Sequence, residues 1–181
     1  IIGHLMGVHI IGVYPLLQDE TCWFLAVDFD KTGWQEDACA FLQACRDLDV
    51  KAALEKSRSG QGGHVWIFFE EAVSATIARK LGSALLTRTM DKRHQMGLDS
   101  YDRLFPNQDT MPKGGFGNLI ALPLQGIPSK TGNSIFLKED LTPYEKYYDN
   151  ELILYPVTTE FFVSGLKPDK DYNIVITDNA T

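Results

Sequence analysis

The sequence predicts an α+β fold in which helices pack on one face of a mainly antiparallel sheet. Apolar runs typical of strands alternate with helical stripes in the order strand, helix, strand, strand, helix, strand. This order is the split βαβ arrangement of RRM-like folds. With 181 residues, of which 44% are apolar, the chain can bury one core with a small appendage.

The first strand, residues 23–30, ends in two acidic residues, Asp28 and Asp30. Side chains alternate faces along a strand, so both carboxylates are expected on one surface while Phe29 enters the core. Two neighbouring anions repel each other unless a cation lies between them. Oxygen ligands suit Mg²⁺ or Mn²⁺, so the pair predicts half of a metal site for phosphoryl chemistry.

The remaining elements follow from periodicity and from turn residues. A helical stripe runs from Trp34 to Leu48 with Thr32 as the expected N-cap, and Ser74 is expected to open a second helix. The other predicted elements are a short strand at 51–55, a glycine-rich turn at 57–63, a strand at 64–69 and a last strand at 118–123, with long loops at 99–117 and after 124.

The glycine-rich turn leads directly into His64. Such a turn can offer backbone N–H groups to phosphate, and His64 can donate to a phosphate oxygen. The expected phosphate contacts are Lys56, Ser57, Arg58, Ser59, Gly60, Gly62, Gly63 and His64. A plain hairpin turn beside a satisfied histidine is the alternative interpretation.

A third acidic group is expected between the second helix and the last strand. Asp99 and Asp102 are both candidates for a third metal carboxylate, and their spacing does not choose between them.

The chain is expected to form a catalytic domain at 1–150, followed by a strand-rich extension at 151–181 that packs on the core. It does not begin with Met, which suggests a fragment of a longer protein. No apolar run reaches the roughly 20 residues that span a bilayer, so no membrane association is expected. Three cysteines without zinc spacing suggest reduced thiols and a cytoplasmic protein.

The net charge of −7 argues mildly against a nucleic-acid binder, although metal ions would offset charge within the site. Local basic residues therefore matter more than the sum.

Several separated motifs together resemble the archaeo-eukaryotic primase superfamily, and most closely the primase domain of TOTE conflict systems and CRISPR-associated primase-polymerases. They are the Asp28 and Asp30 pair, the run from Ser59 to His64, the segment from Tyr101 to Asp109 and the strand after Gly117. They occur in the order of the family over roughly residues 1–145.

The resemblance implies a template-directed nucleotidyltransferase, a DNA primase or primase-polymerase, that adds NTPs or dNTPs to a 3′-hydroxyl with two divalent ions, Mg²⁺ or Mn²⁺. Asp28, Asp30 and Asp102 would then be the catalytic metal ligands, with Asp99 as the alternative third acid. His64 would hold the triphosphate. Ala121 stands where many relatives have a basic residue, so Lys113 is a candidate for that phosphate contact.

The implied partners are a single-stranded template, a primer–template and helicase or nuclease domains in the parent protein. Two other functions are compatible with the residues: a non-catalytic RRM-like module that binds single-stranded nucleic acid, and a metal-dependent nuclease.

Overall fold

The computed structural model describes residues 1–92 and 98–144, and the backbone of two short strands at 147–149 and 152–154. The chain divides into two compact units, of which the first covers Gly3–Pro143 and the second begins at Tyr144. The helices are α1 (Ile2–Leu5), α2 (Trp34–Arg46), α3 (Ala75–Lys92) and α4 (Gly126–Lys130). The strands are β1 (Gly12–Val13), β2 (Thr21–Asp30), β3 (Ala53–Lys56), β4 (Gly62–Ser74), β5 (Tyr101–Phe105), β6 (Ile120–Ala121), β7 (Ile135–Leu137), β8 (Tyr147–Asp149) and β9 (Leu152–Leu154).

The main sheet has five strands in the order β5-β2-β4-β3-β7, and every neighbouring pair is antiparallel. Helices α2 and α3 cover one face, where their apolar stripes meet Leu25, Val27, Phe29 and Val65 in a continuous core. The predicted α+β, RRM-like fold with helices on one face is therefore confirmed.

The opposite face of the sheet, here called the open face, is covered only in part. Strands β1 and β6 pair with each other as a separate two-stranded sheet. Their residues Val13 and Ile120 pack against Ala26, Trp66 and Phe105 of the main sheet. The half of the open face near the carboxyl end of β2 lies outside this apolar cluster.

The prediction for the last strand of the main sheet was wrong. That position belongs to β5, in a segment expected to be a loop, while Ile120–Ala121 pairs with β1 instead. The charged pair Asp102 and Arg103 hides the strand pattern, because only the last two residues of β5 are buried. Strand β7, which pairs with β3 at the other edge of the main sheet, was not predicted either.

The starts of α2 and α3 show which local residues set the boundaries of these helices. The Ser74 hydroxyl accepts a hydrogen bond from the N–H of Ile77 at 3.3 Å and so caps α3, which confirms that the helix opens at Ser74. The expected cap Thr32 was wrong, because the residue before α2 is Gly33 with a left-handed φ of 88°.

Strands β8 and β9 form an antiparallel pair with Tyr147 opposite Leu154. The extension predicted at 151–181 otherwise lies outside the described residues.

Candidate active site

The end of β2 presents Asp28 and Asp30 on the open face. Phe29, between them, is fully buried in the core below. Asp28 lies opposite His64 and Asp30 opposite Gly62 across the β2–β4 pair. The expectation that alternation directs both acidic residues away from Phe29 is therefore confirmed.

Asp28 lines up with one residue from each of the other four strands across the open face. The register opposes Arg103 to Asp28, Asp28 to His64, His64 to Glu55 and Glu55 to Phe136. We call these five residues the cross-strand row. Directly opposed side chains on one face interact strongly in antiparallel sheets, so the row forms a linked set of charged and aromatic groups.

His64 lies in the centre of the cross-strand row with a carboxylate on either side. Its Nδ1 is 3.0 Å from Oε2 of Glu55, and its Nε2 is 3.5 Å from Oδ1 of Asp28. Burial acts to lower the pKa of His64, but the hydrogen bond and charge of Glu55, with the charges of Asp28 and Asp30, raise it overall. The site therefore favours a cationic imidazole facing the open side of the sheet.

The carboxylate of Asp28 is crowded by other acidic groups. Its pKa is raised, mainly by burial; His64 and Arg103 act to lower it, whereas Asp102 and Asp30 raise it further. A nearby cation would stabilise the ionised form of Asp28, because it would offset both the lost hydration and the repulsion from Asp30 and Asp102. The chemistry of the oxygen donors therefore fits a hard divalent ion.

The acidic side chains do not form a finished set of ligands as they stand. Within residues 1–92 and 98–144, no group of three or more His, Cys, Asp or Glu side chains is close enough together to hold a metal ion. Asp30 accepts a hydrogen bond from the N–H of Lys31 at 2.8 Å, and Asp102 accepts one from Nε of Arg103 at 2.6 Å. Both aspartates are exposed, so rotating them toward Asp28 requires no repacking of the core.

A bulge in β5 brings Asp102 near Asp28. Residue Arg103 pairs with Asp28 and Tyr101 pairs with Phe29, which leaves Asp102 as an extra residue between them. Asp102 is close enough to raise the pKa of Asp28, whereas Asp99 is not among the groups that affect it. Of the two candidate third acids, the structure places Asp102 at the site and Asp99 in the exposed turn before β5.

The start of β5 is fixed by a buried carboxylate on α2. Asp37 accepts hydrogen bonds from the Ser100 hydroxyl at 2.6 Å and from the Ser100 N–H at 3.2 Å. The carbonyl of Ser100 in turn accepts the N–H of Asp30 at 2.6 Å. These bonds hold the strand that carries Asp102 against the end of β2.

The glycine-rich turn is shorter than the sequence suggested, because Gly62 and Gly63 already belong to β4. A Cβ on Gly62 would lie 2.6 Å from the carbonyl oxygen of Phe29, and one on Gly63 would lie 2.6 Å from the Trp34 ring. These two glycines allow close strand pairing and helix packing. The remaining turn is closed by a hydrogen bond from Gly60 N–H to the carbonyl of Ser57 at 3.0 Å.

The other predicted phosphate contacts lie in three separate places. Ser57 and Ser59 join their hydroxyls at 3.0 Å in the turn between β3 and β4, with Arg58 exposed beside them. Lys56 pairs with Gly63, whose Cβ position faces Trp34 of α2, so Lys56 lies on the other face of the sheet from His64. Lys113 lies in an exposed turn closed by Pro112 and Gly115.

Glu55 is the site residue that sequence reasoning missed. Glu55 was the last residue of the strand predicted at 51–55. Because Gly62 and Gly63 were assigned to the turn, the predicted strands did not place Glu55 opposite His64. Counting the glycines as strand residues would have revealed the pair, because the β3–β4 register places Glu55 directly across from His64.

Aromatic side chains occupy the open face on the far side of His64. The rings of Trp66 and Phe68 are stacked, 5.9 Å apart and 8° from parallel, and Phe24 lies 5.2 Å from Trp66. Phe68 is 43% exposed. The exposed ring of Phe68 can stack with nucleic-acid bases, whereas Trp66 is buried beneath it.

The sequence was compared with known families and proteins. The family described as TOTE conflict system, Archaeo-Eukaryotic Primase domain, matches residues 1–152. A search of curated protein sequences found no significant match. None of the described helices is both long and apolar enough to span a membrane. The family match confirms the resemblance drawn from the motifs.

Proposed function

The chain belongs to the archaeo-eukaryotic primase domain family of TOTE conflict systems, and from that premise we propose that it is a template-directed primase-polymerase. It would join NTPs or dNTPs to a 3′-hydroxyl. The observation that carries the proposal is the cross-strand row, in which Asp28 faces His64 while Asp30 and Asp102 lie nearby. Acidic oxygens beside a cationic donor match what a metal-bound triphosphate requires.

In this proposal Asp28, Asp30 and Asp102 hold two divalent ions, Mg²⁺ or Mn²⁺. When bound, such ions lower the pKa of the attacking hydroxyl and stabilise the leaving pyrophosphate. The chain contributes a rigid frame, because Asp28 and Asp30 lie on a central strand of the sheet. Asp102 reaches the same place from the neighbouring strand through the bulge.

The triphosphate is held on the side of His64 that faces Asp28. His64 donates from Nε2 to a phosphate oxygen, and the Ser57 and Ser59 hydroxyls with the turn amides add further donors. Arg58 is an exposed cation in the turn before Gly62, which opposes Asp30, so it can approach the same anion. Lys56 must reach around the end of β3. Lys113 lies two residues beyond Met111, whose N–H donates to Glu20 at the opposite end of β2, so it is not a contact in this arrangement.

The nucleic acid is proposed to lie on the open face beside the nucleotide. Phe68 offers a stacking surface for the bases of a single-stranded template or a primer–template. Helicase or nuclease domains in a longer parent protein would provide partners for this activity.

A labelled primer–template incubated with NTPs or dNTPs and Mg²⁺ or Mn²⁺ tests the proposal. We expect primer extension that depends on the metal, and a parallel assay without primer tests priming. Shortening of the primer would instead indicate a nuclease. Metal-independent binding without extension would indicate a non-catalytic nucleic-acid-binding module.

A further inference from the structure

Glu55 is a buried acidic residue that the proposed mechanism does not use. It is 2% exposed, although it lies on the open face of the sheet. Its Oε2 accepts hydrogen bonds from Trp66 Nε1 at 2.9 Å and from His64 Nδ1 at 3.0 Å. A buried carboxylate is costly unless it is paired, so its retention calls for an explanation.

The two bonds of Glu55 determine how the His64 ring is oriented. Oε2 of Glu55 accepts the Trp66 N–H, and the same oxygen is the acceptor for His64, so Nδ1 carries a proton and faces Glu55. The second nitrogen, Nε2, must then point along the cross-strand row toward Asp28. A ring flip would separate this largely buried N–H from Glu55, and the loss of such a hydrogen bond costs about 1–3 kcal/mol.

The two contacts of His64 differ in quality. The Nδ1 contact at 3.0 Å has the length of a good hydrogen bond, whereas the Nε2 contact with Asp28 at 3.5 Å is at the outer limit. Nε2 is thus not committed to a strong partner and can donate to a ligand. Its direction is set from the other side of the ring.

Trp66 holds Glu55 in place in turn. The indole N–H of Trp66 can only donate, and it donates to Oε2 of Glu55, the same atom that accepts the hydrogen bond from His64 Nδ1. Phe136 lies opposite Glu55 on β7, so the carboxylate is flanked by apolar rings rather than water. The carboxylate therefore has little freedom to rotate.

From this geometry we infer that Glu55 is a positioning residue, which orients His64 so that Nε2–H points at a phosphate oxygen of the incoming nucleotide. The inference rests on the proposed function, because it assigns His64 to the triphosphate. Glu55 itself touches neither nucleotide nor metal. At metal sites, removing the partner that fixes a ligating histidine changes metal affinity or activity by about 10- to 100-fold, and we expect an effect at the lower end of that range here.

The test compares two substitutions of Glu55. Glu55→Leu keeps a similar volume but removes the acceptor, and we expect the KM for the nucleotide to rise roughly tenfold. Glu55→Gln keeps an oxygen acceptor for the Nδ1–H and should restore most of the affinity. Binding of single-stranded template, measured by fluorescence anisotropy, should stay within about twofold for both, since Glu55 lies away from Phe68.

A double-mutant cycle with His64→Ala separates positioning from a general structural effect. If Glu55 acts only through His64, then Glu55→Leu adds no further loss of nucleotide affinity in the His64→Ala background. Equal penalties in both backgrounds would overturn the inference. Thermal unfolding of each variant identifies any that fail to fold. Trp66→Phe, which removes the N–H donor together with part of the buried ring, then serves instead, with an expected two- to threefold rise in KM.

A measurement without nucleotide or metal distinguishes failure of this inference from failure of the proposed function. In long-range ¹H–¹⁵N spectra, His64 should show a protonated Nδ1 that is lost or exchange-broadened in Glu55→Leu, with His64→Ala assigning the signal. An unchanged Nδ1 signal in Glu55→Leu would overturn the inference even if the enzyme polymerises. An enzyme that never incorporates nucleotide but shows the signal change would lack the proposed function while Glu55 still orients the ring.

Discussion

The open face of the sheet has two halves built on the same strands but with opposite chemistry. The ionic half contains Asp28 and His64, directly opposed on β2 and β4. The aromatic half contains Phe24, Trp66 and Phe68 further along the same strands. Because side chains on one face recur every second residue, a shift of two to four positions exchanges charged pairs for stacked rings.

The comparison shows that the two halves respond differently to amino-acid substitutions. The aromatic half is held by non-directional packing, so a substitution there changes contact area. The ionic half depends on directed hydrogen bonds and on charges removed from water, so loss of one partner leaves another unpaired. Trp66 belongs to both halves, because its ring stacks on Phe68 while its N–H binds Glu55.

The largest effect is expected for Asp28→Asn in the ionic half. Loss of the charge next to His64 should reduce nucleotide incorporation by about 10³-fold or more, since metal-assisted charge stabilisation is worth several kcal/mol. Primer extension measures this loss. Retained incorporation would contradict the assignment of Asp28 as a metal ligand.

The same variant should fold at least as well as the unsubstituted chain. The pKa of Asp28 is raised, so its ionised form is disfavoured in the folded state, and a neutral amide removes that penalty. We expect an increase of about 0.5–2 kcal/mol in the free energy of unfolding at pH 7 without metal, as for other substitutions that relieve local strain. A marked loss of stability would instead assign Asp28 a structural role.

The next largest effect separates Asp102 from Asp99. Asp102→Asn should lower incorporation by about 100-fold, because the bulge places this side chain near Asp28 and a lost ligand weakens metal binding. Asp99→Asn is the matched control and should stay within about twofold, since Asp99 lies in the exposed turn. A large loss for Asp99→Asn with little change for Asp102→Asn would instead assign Asp99 as the third metal ligand.

The aromatic half gives a smaller effect that should be confined to nucleic acid. Phe68→Ala should weaken single-stranded DNA binding by about tenfold, because stacking contributes roughly 1–3 kcal/mol per base. The KM for the nucleotide should hardly change. Ile77→Ala, which also removes an exposed apolar side chain but lies on α3, is the control and should not alter DNA affinity in an anisotropy titration.

The smallest effect is the pH dependence of stability in the ionic half. The pKa of His64 is raised in the folded state, so its contribution is fully present below its unfolded pKa and lost as pH rises through the folded value. The raised pKa of Asp28 acts in the same direction, because its folded form binds a proton more readily than its unfolded form. We expect the metal-free protein to lose on the order of 1 kcal/mol between pH 5 and pH 8 through these groups.

Urea unfolding in the presence of EDTA measures this dependence. The double variant Asp28→Asn with His64→Gln should flatten it, and an unchanged slope would show that other groups are responsible.

Features that depend on neighbours along the chain could be predicted from the sequence. Alternation alone predicts that Phe29 is buried between Asp28 and Asp30, and the helical stripe of α2 follows from its spacing. The position of β5 could not be predicted in this way, because its bulge interrupts the alternation at Asp102. The role of Glu55 depends on the β3–β4 register, which is fixed by strand pairing rather than by local pattern.

The register of the sheet also restricts where this domain can change in length. The connection between Lys56 and Gly62 can gain or lose residues without moving any member of the cross-strand row. A single residue inserted within β3 or β4 would instead turn Glu55 or His64 toward the helices. Homologous chains should therefore differ in length at this hairpin tip rather than within β3 or β4.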